Sequence, residues 1–144
     1  MARATVFPVL ALLAGLVCPA GAASQQRPIQ EFVQQVTQLW AAGDAGALVG
    51  LAAGRLLLDT GRGTETVNAR HAGAALRALF SDHETVGARP VRITLAGGDP
   101  PRGFGELSWS YRTRGASVPQ ARTVYVGAVW ERGEWRISEL RVMP

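Results

Sequence analysis

Apolar residues recur along this chain in two different rhythms, and the change from one to the other divides it into a helical part and a sheet part. After Pro28, the residues Ile29, Phe32, Val33, Val36 and Trp40 return at intervals of three and four. That spacing predicts an amphipathic helix opened by the proline. Gly43 ends it, and Asp44 is placed to cap a short second helix whose apolar face is Ala47, Leu48 and Leu51. "AAGDAGALVGLAA" therefore reads as two helices meeting at a tight corner. "RLLLDTGRGTETVN" gives two short extended pieces around a glycine turn at 61–63. Asn68 then caps a third helix with the buried stripe Ala72, Ala75, Leu76, Leu79 and Phe80. "SDHETVGARP" interrupts the pattern and reads as a connection closed by Pro90.

From Val91 the period is two. Val91, Ile93 and Leu95 share a face, and Leu107, Trp109 and Tyr111 share another, opposite Glu106, Ser108, Ser110 and Arg112. Such alternation marks half-buried antiparallel strands. "RTVYVGAVW" is apolar on both faces, as a central strand should be. The last strand carries Trp135 and Ile137 in one parity and Leu140 and Val142 in the other, which predicts a bulge near Ser138 and Glu139. Three helices with a short hairpin, followed by four longer strands, is a segregated order, and the fold class is α+β.

The first 22 residues stand outside this pattern. Arg3, an apolar run from Val6 to Val17 and the small residues Ala20, Gly21 and Ala22 read as a secretory signal peptide. The run is too short for a transmembrane helix, which needs about twenty residues. The expected division is a signal peptide at 1–22, a polar leader at 23–28 and one domain at 29–144, exported to the periplasm or the exterior. Cys18 is the sole cysteine of the 144 residues. Val17 and Gly15 stand where a lipid-anchoring cysteine would have other neighbours, which argues against a lipoprotein. Cleavage after Ala22 leaves no thiol for a disulfide, a nucleophile or a metal. All fifteen basic residues are arginine, against eleven acids. They are scattered rather than striped, so the charge gives no nucleic-acid footprint.

The helix corner "LWAAGDAGALVGLAA", the capped helix "NARHAGAALRALF" and the closing "GAVWERGEWRISELRV" resemble the superfamily of nuclear transport factor 2, ketosteroid isomerase and the SnoaL-type polyketide cyclases. Within it the chain is most similar to a family of small exported bacterial domains of unknown function. The resemblance implies a cone, a strongly curved antiparallel sheet wrapped around three N-terminal helices. It also implies that the mouth can hold a ligand and the outer sheet face can pair two copies. In that frame the closing hairpin covers the first and third helices, with Trp130 or Trp135 shutting part of the core.

Candidate chemistry is sparse. A ketosteroid isomerase-type site needs a carboxylate base and neutral donors for an oxyanion. The first helix offers Trp40 where that family has tyrosine, so the enzymatic alternative rests on Asp59 as base and Tyr111 as donor. His71, in the first turn of the third helix, reads as solvent-facing or capping, and His83 as part of a solvated acidic loop. Neither has a metal-binding spacing, so no metal or other cofactor is expected. No G-x-S-x-G elbow or phosphate loop occurs. Binding is the stronger expectation. One form is a homodimer through Ser108, Ser110, Tyr125 and Val129 on the outer sheet face. The other is a small apolar ligand held by Trp40, Trp109 and Tyr111.

Overall fold

The computed structural model describes residues 23–144, so the signal-peptide expectation lies outside the described residues. Helix α1 spans Ala23–Ala42 and runs through Pro28 rather than starting at it. Residues 23–28 are thus helical. Proline's fixed φ suits a helix, and near the N-terminus its missing N–H removes a single bond. The stripe behaves as its spacing requires: Ile29, Val33 and Val36 are fully buried and Trp40 nearly so. The helix ends where Gly43 takes a φ of 65°. There the Gly43 amide donates to the Trp40 carbonyl and the Asp44 amide to the Leu39 carbonyl, both at 3.0 Å. That pair of bonds satisfies the last orphan carbonyls. Asp44 then accepts from the Ala47 amide at 3.0 Å and starts α2, Ala45–Gly50. The corner is built by one glycine and one carboxylate, as the sequence predicts.

Strand β1 (Ala52–Asp59) follows at once, so the residues after Leu51 leave the helical run expected of them. β2 (Thr64–Val67) folds back on β1, and α3 (Ala69–Asp82) starts from its Asn68 cap. The sheet continues with β3 (His83–Gly97), β4 (Arg102–Thr113), β5 (Gln120–Glu131) and β6 (Glu134–Val142). Its order is β2-β1-β6-β5-β4-β3, and it is curved around the helices. All pairs are antiparallel except β1 with β6, which run parallel. That corrects the expectation of a purely antiparallel sheet. A long connection through α3 and four strands brings β6 back beside β1 in the same direction, which a tight turn cannot do.

A second correction concerns 83–90, which is strand and not a connection. β3 is an edge strand, where Pro90 needs no ladder donor. Register shifts at Thr85/Gly87 and Pro90/Arg92 absorb the irregular sequence. The second shift also moves Val91 off the face of Ile93 and Leu95, leaving it 63 % exposed. The bulge at the other end is where the parity switch puts it: Ala128 pairs with Ile137 and Gly127 with Glu139, leaving Ser138 over.

The closing hairpin turns at Arg132 and Gly133, with φ of 52° and 80°. Two consecutive positive values match the right-handed twist of the flanking strands. Trp130 and Trp135 are cross-strand partners with ring centroids 5.2 Å apart at 75°. Trp135 is buried and Trp130 half-buried, and together with Phe32 of α1 they border one hollow. The hairpin covers the first helix, while the main partners of α3 are α2 and β1. On the inner face of β4, Gly103 and Gly105 let α1 lie almost on the sheet. A Cβ on Gly103 would stand 2.7 Å from Ile29 Cδ1, and one on Gly105 2.9 Å from Val33 Cγ1.

Candidate functional site

The three residues expected to line a ligand chamber do come together. Trp40 and Trp109 meet edge to face at 5.4 Å, and Trp109 stacks on Tyr111 at 4.3 Å. Phe80 closes the cluster from α3, 5.0 Å from Trp40. Each of the three is only 1 % exposed. Trp109 Nε1 donates to Thr85 Oγ1 at 2.9 Å, and the Tyr111 hydroxyl donates to Gln120 Oε1 at 3.1 Å. The rings fill the centre of the cone with one another. Their packing is that of a core, where edge and offset contacts add to area burial.

Asp59 stands at the end of β1. Its Oδ1 accepts from the Gly61 amide at 2.8 Å and its Oδ2 from the Thr64 hydroxyl at 2.9 Å. Those two donors hold the carboxyl below its ordinary value, with smaller help from the Gly63 amide and Arg141 against slight desolvation. A general base works best near the operating pH, and this carboxylate is moved the other way. Tyr111 is sequestered with Gln120, and the two do not border a common cavity. Asp59 staples the β1–β2 turn. Its depressed value contributes stability above the ordinary value of 3.8, lost as pH falls through the lower folded value. Asp59→Ala should cost about 1 kcal/mol at pH 7, discounted for exposure. The gap to the parent chain should shrink at pH 3. Urea titrations at both pH values measure it, and an equal gap at both would contradict the staple.

His83 lies where the sequence reading placed a solvated loop, and the structure makes it part of the interior wall. It is the first residue of β3, with Nδ1 2.9 Å from the Leu79 carbonyl. A carbonyl only accepts, so Nδ1 carries the hydrogen and Nε2 is the uncommitted ring atom. The ring stands edge-on to Tyr111 at 5.0 Å and 5.7 Å from Trp109. His71, by contrast, is exposed on the first turn of α3.

Beside His83 opens a groove of about 440 Å³ between α3 and the β1–β2 hairpin. Leu58, Ala75, Ala78 and Leu79 form its apolar wall. Thr60, Arg62, Thr64, Glu65 and Asp82 supply polar groups around it, with His83 at the junction. The hairpin contributes Arg62 because the Asp59 staple fixes the turn on which it rides. Sequence reasoning missed this site because its members are thinly spread. The available signal was Ala75 and Ala78, small residues that leave a shallow strip on a helix.

On the outer sheet face, Ser108, Ser110 and Tyr125 are half-buried. Val129 is only 7 % exposed although it lies outside the core cluster, with Arg102 and Arg136 as its cross-strand neighbours. Phe104 and Tyr125 pair at 5.6 Å. Desolvation raises the Tyr125 hydroxyl above its ordinary value, with Glu139 and Glu106 adding and Arg141 opposing. Arg92 pairs with Glu106 at 3.7 Å and Arg141 with Glu139 at 3.3 Å. Among the described residues, no helix is long and apolar enough to cross a membrane, and no group of three metal-ligating side chains converges.

No family model and no curated protein matches the sequence. Solved structures do match the fold. A DUF4783 family protein from Bacteroides uniformis superposes with a TM-score of 0.63 at 15% identity, covering 74% of this chain and 91% of that one. A scytalone dehydratase-like protein from Novosphingobium aromaticivorans gives 0.67 at 11% identity, covering 85% and 86%. The chain Rd1NTF2_04 with long sheet gives 0.64 at 19% identity, covering 80% and 99%. The chain shares the α+β cone fold of these structures. At such identities the likeness is one of fold, and a fold hosts many functions.

Proposed function

We propose that this chain is an exported, non-catalytic domain that holds a small amphipathic molecule in the groove between α3 and the β1–β2 hairpin. The observation that carries the reading is the groove itself, about 440 Å³ with one apolar wall and a polar rim. That size and mixture suit a small ligand. The filled centre of the cone moves the ligand away from Trp40, Trp109 and Tyr111, where the sequence alone would put it. The bound and acidified state of Asp59 speaks against the isomerase or cyclase alternative. Association of two copies through the outer face is the weaker reading, because its charges already pair among themselves and Val129 is already covered. Export rests on the leader at 1–22.

One sample tests both parts. The full sequence is expressed in a secreting host and the recovered chain weighed. A mass starting at Ala23 is expected. The chain is then titrated with 8-anilinonaphthalene-1-sulfonate, a probe with apolar rings and one anionic group. Binding with one-to-one stoichiometry is expected, and Ala78→Trp should abolish it without lowering the melting temperature, since Ala78 is exposed on the helix. Unchanged binding in that variant would remove the groove from the account.

A further inference from the structure

The closing hairpin builds a second hollow at the opposite end of the strands. Tyr111 pairs with Gln120 at the groove end of β4 and β5, and Arg102 pairs with Val129 at the other. Beyond Val129, Trp130 and Trp135 stand at 75° to each other, 5.2 Å apart. They border a cavity of about 300 Å³ together with Phe32 of α1. Two indoles near a right angle and a third ring offer aromatic surface on adjoining sides. The described lining also carries the carboxylates of Glu31 and Glu134 and the amide of Gln35, and no cationic side chain. Glu134 is paired with Arg136, which offsets its charge, so Glu31 is the acid that bears on a ligand here. Trp135 Nε1 is buried with no hydrogen-bond partner among the described residues.

We propose that this hollow is a site for an organic ammonium cation of the quaternary type. The negative faces of aromatic rings attract a cation, most strongly in indole, and a quaternary nitrogen sheds its weakly held water at small cost. The Glu31 carboxylate adds Coulomb attraction. Between them, rings and carboxylate discriminate against an anion and give a neutral molecule of the same shape only the ring contacts. Trp130 is half-exposed, so the aromatic surface is reachable from solvent.

The test follows the indole N–H signals of the ¹⁵N-labelled chain at constant ionic strength. One titration uses choline chloride, the other 3,3-dimethylbutan-1-ol, its uncharged isostere. Saturable shifts at Trp130 and Trp135 with choline are expected, with binding of the alcohol roughly tenfold weaker or more. Glu31→Gln, on an exposed helix position, should weaken choline severalfold and leave the spectrum otherwise unchanged. Trp130→Ala should abolish saturation. Equal response to both compounds, or linear drift with either, overturns the proposal, as does full choline binding in Trp130→Ala. The Ala78→Trp variant should retain the choline response, so this site and the groove can fail separately.

Discussion

Trp109→Ala should destabilise the domain by about 3–5 kcal/mol, the range for deleting a buried aromatic. The reasons accumulate at one side chain. It is 1 % exposed, stacks on Tyr111, meets Trp40 edge to face, and donates its indole hydrogen to Thr85. Removing it leaves a cavity ringed by aromatics that cannot collapse together and a β3 hydroxyl without its donor. A domain of ordinary stability holds about 5–15 kcal/mol, so the variant would stand near its unfolding threshold. Equilibrium urea unfolding measures the loss, with Trp130→Ala as the comparison because that ring is half-exposed. A Trp109 variant within 1 kcal/mol of the parent would mean the cone is not filled as described.

Gly105→Ala should cost about 1–3 kcal/mol by overpacking. The new methyl would stand 2.9 Å and 3.0 Å from the two γ-methyls of Val33. Valine has one strongly preferred rotamer in a helix, so it cannot swing clear. Gly103→Ala meets a different neighbour, Ile29, with Cδ1 at 2.7 Å and Cγ1 at 2.8 Å, and isoleucine is as stiff at χ1 in a helix as valine. The prediction is therefore a loss at both glycines of this strand face. Combining Gly105→Ala with Val33→Ala should return part of the loss, a coupling that a double-mutant cycle reads directly. If neither alanine lowers stability and the cycle is additive, α1 does not lie against β4 as closely as the geometry has it.

Much of the architecture was legible because it rests on local signals. Gly43 with Asp44, Asn68, and the Arg132-Gly133 turn each fix a conformation through one or two residues, and all three stand where their chemistry puts them. The parity switch after Ile137 disclosed a bulge for the same reason. Two features escaped because they depend on distant partners. The parallel pairing of β1 with β6 leaves no mark in either strand, since a ladder needs only backbone. The start of β3 was hidden by Pro90 and by a polar composition that a central strand would not tolerate but an edge strand does. The candidate site was legible in its aromatics and not in its vacancy. Spacing brings Trp40, Trp109 and Tyr111 to one face, yet only packing decides whether rings line a space or occupy it. His83 was misjudged because its acidic neighbours in sequence point away from its neighbours in space.

The position of β6 has a consequence for how this molecule comes into being. Its final strand is not an edge but a keystone, clasped by β1 on one side and β5 on the other. Until residues 134–142 have arrived, β1 and β2 have no sheet to join, and the leucines at 56 and 58 wait in water. A nascent or translocating polypeptide must therefore remain open until its tail is free, a late and long-range closure of the kind that slows folding.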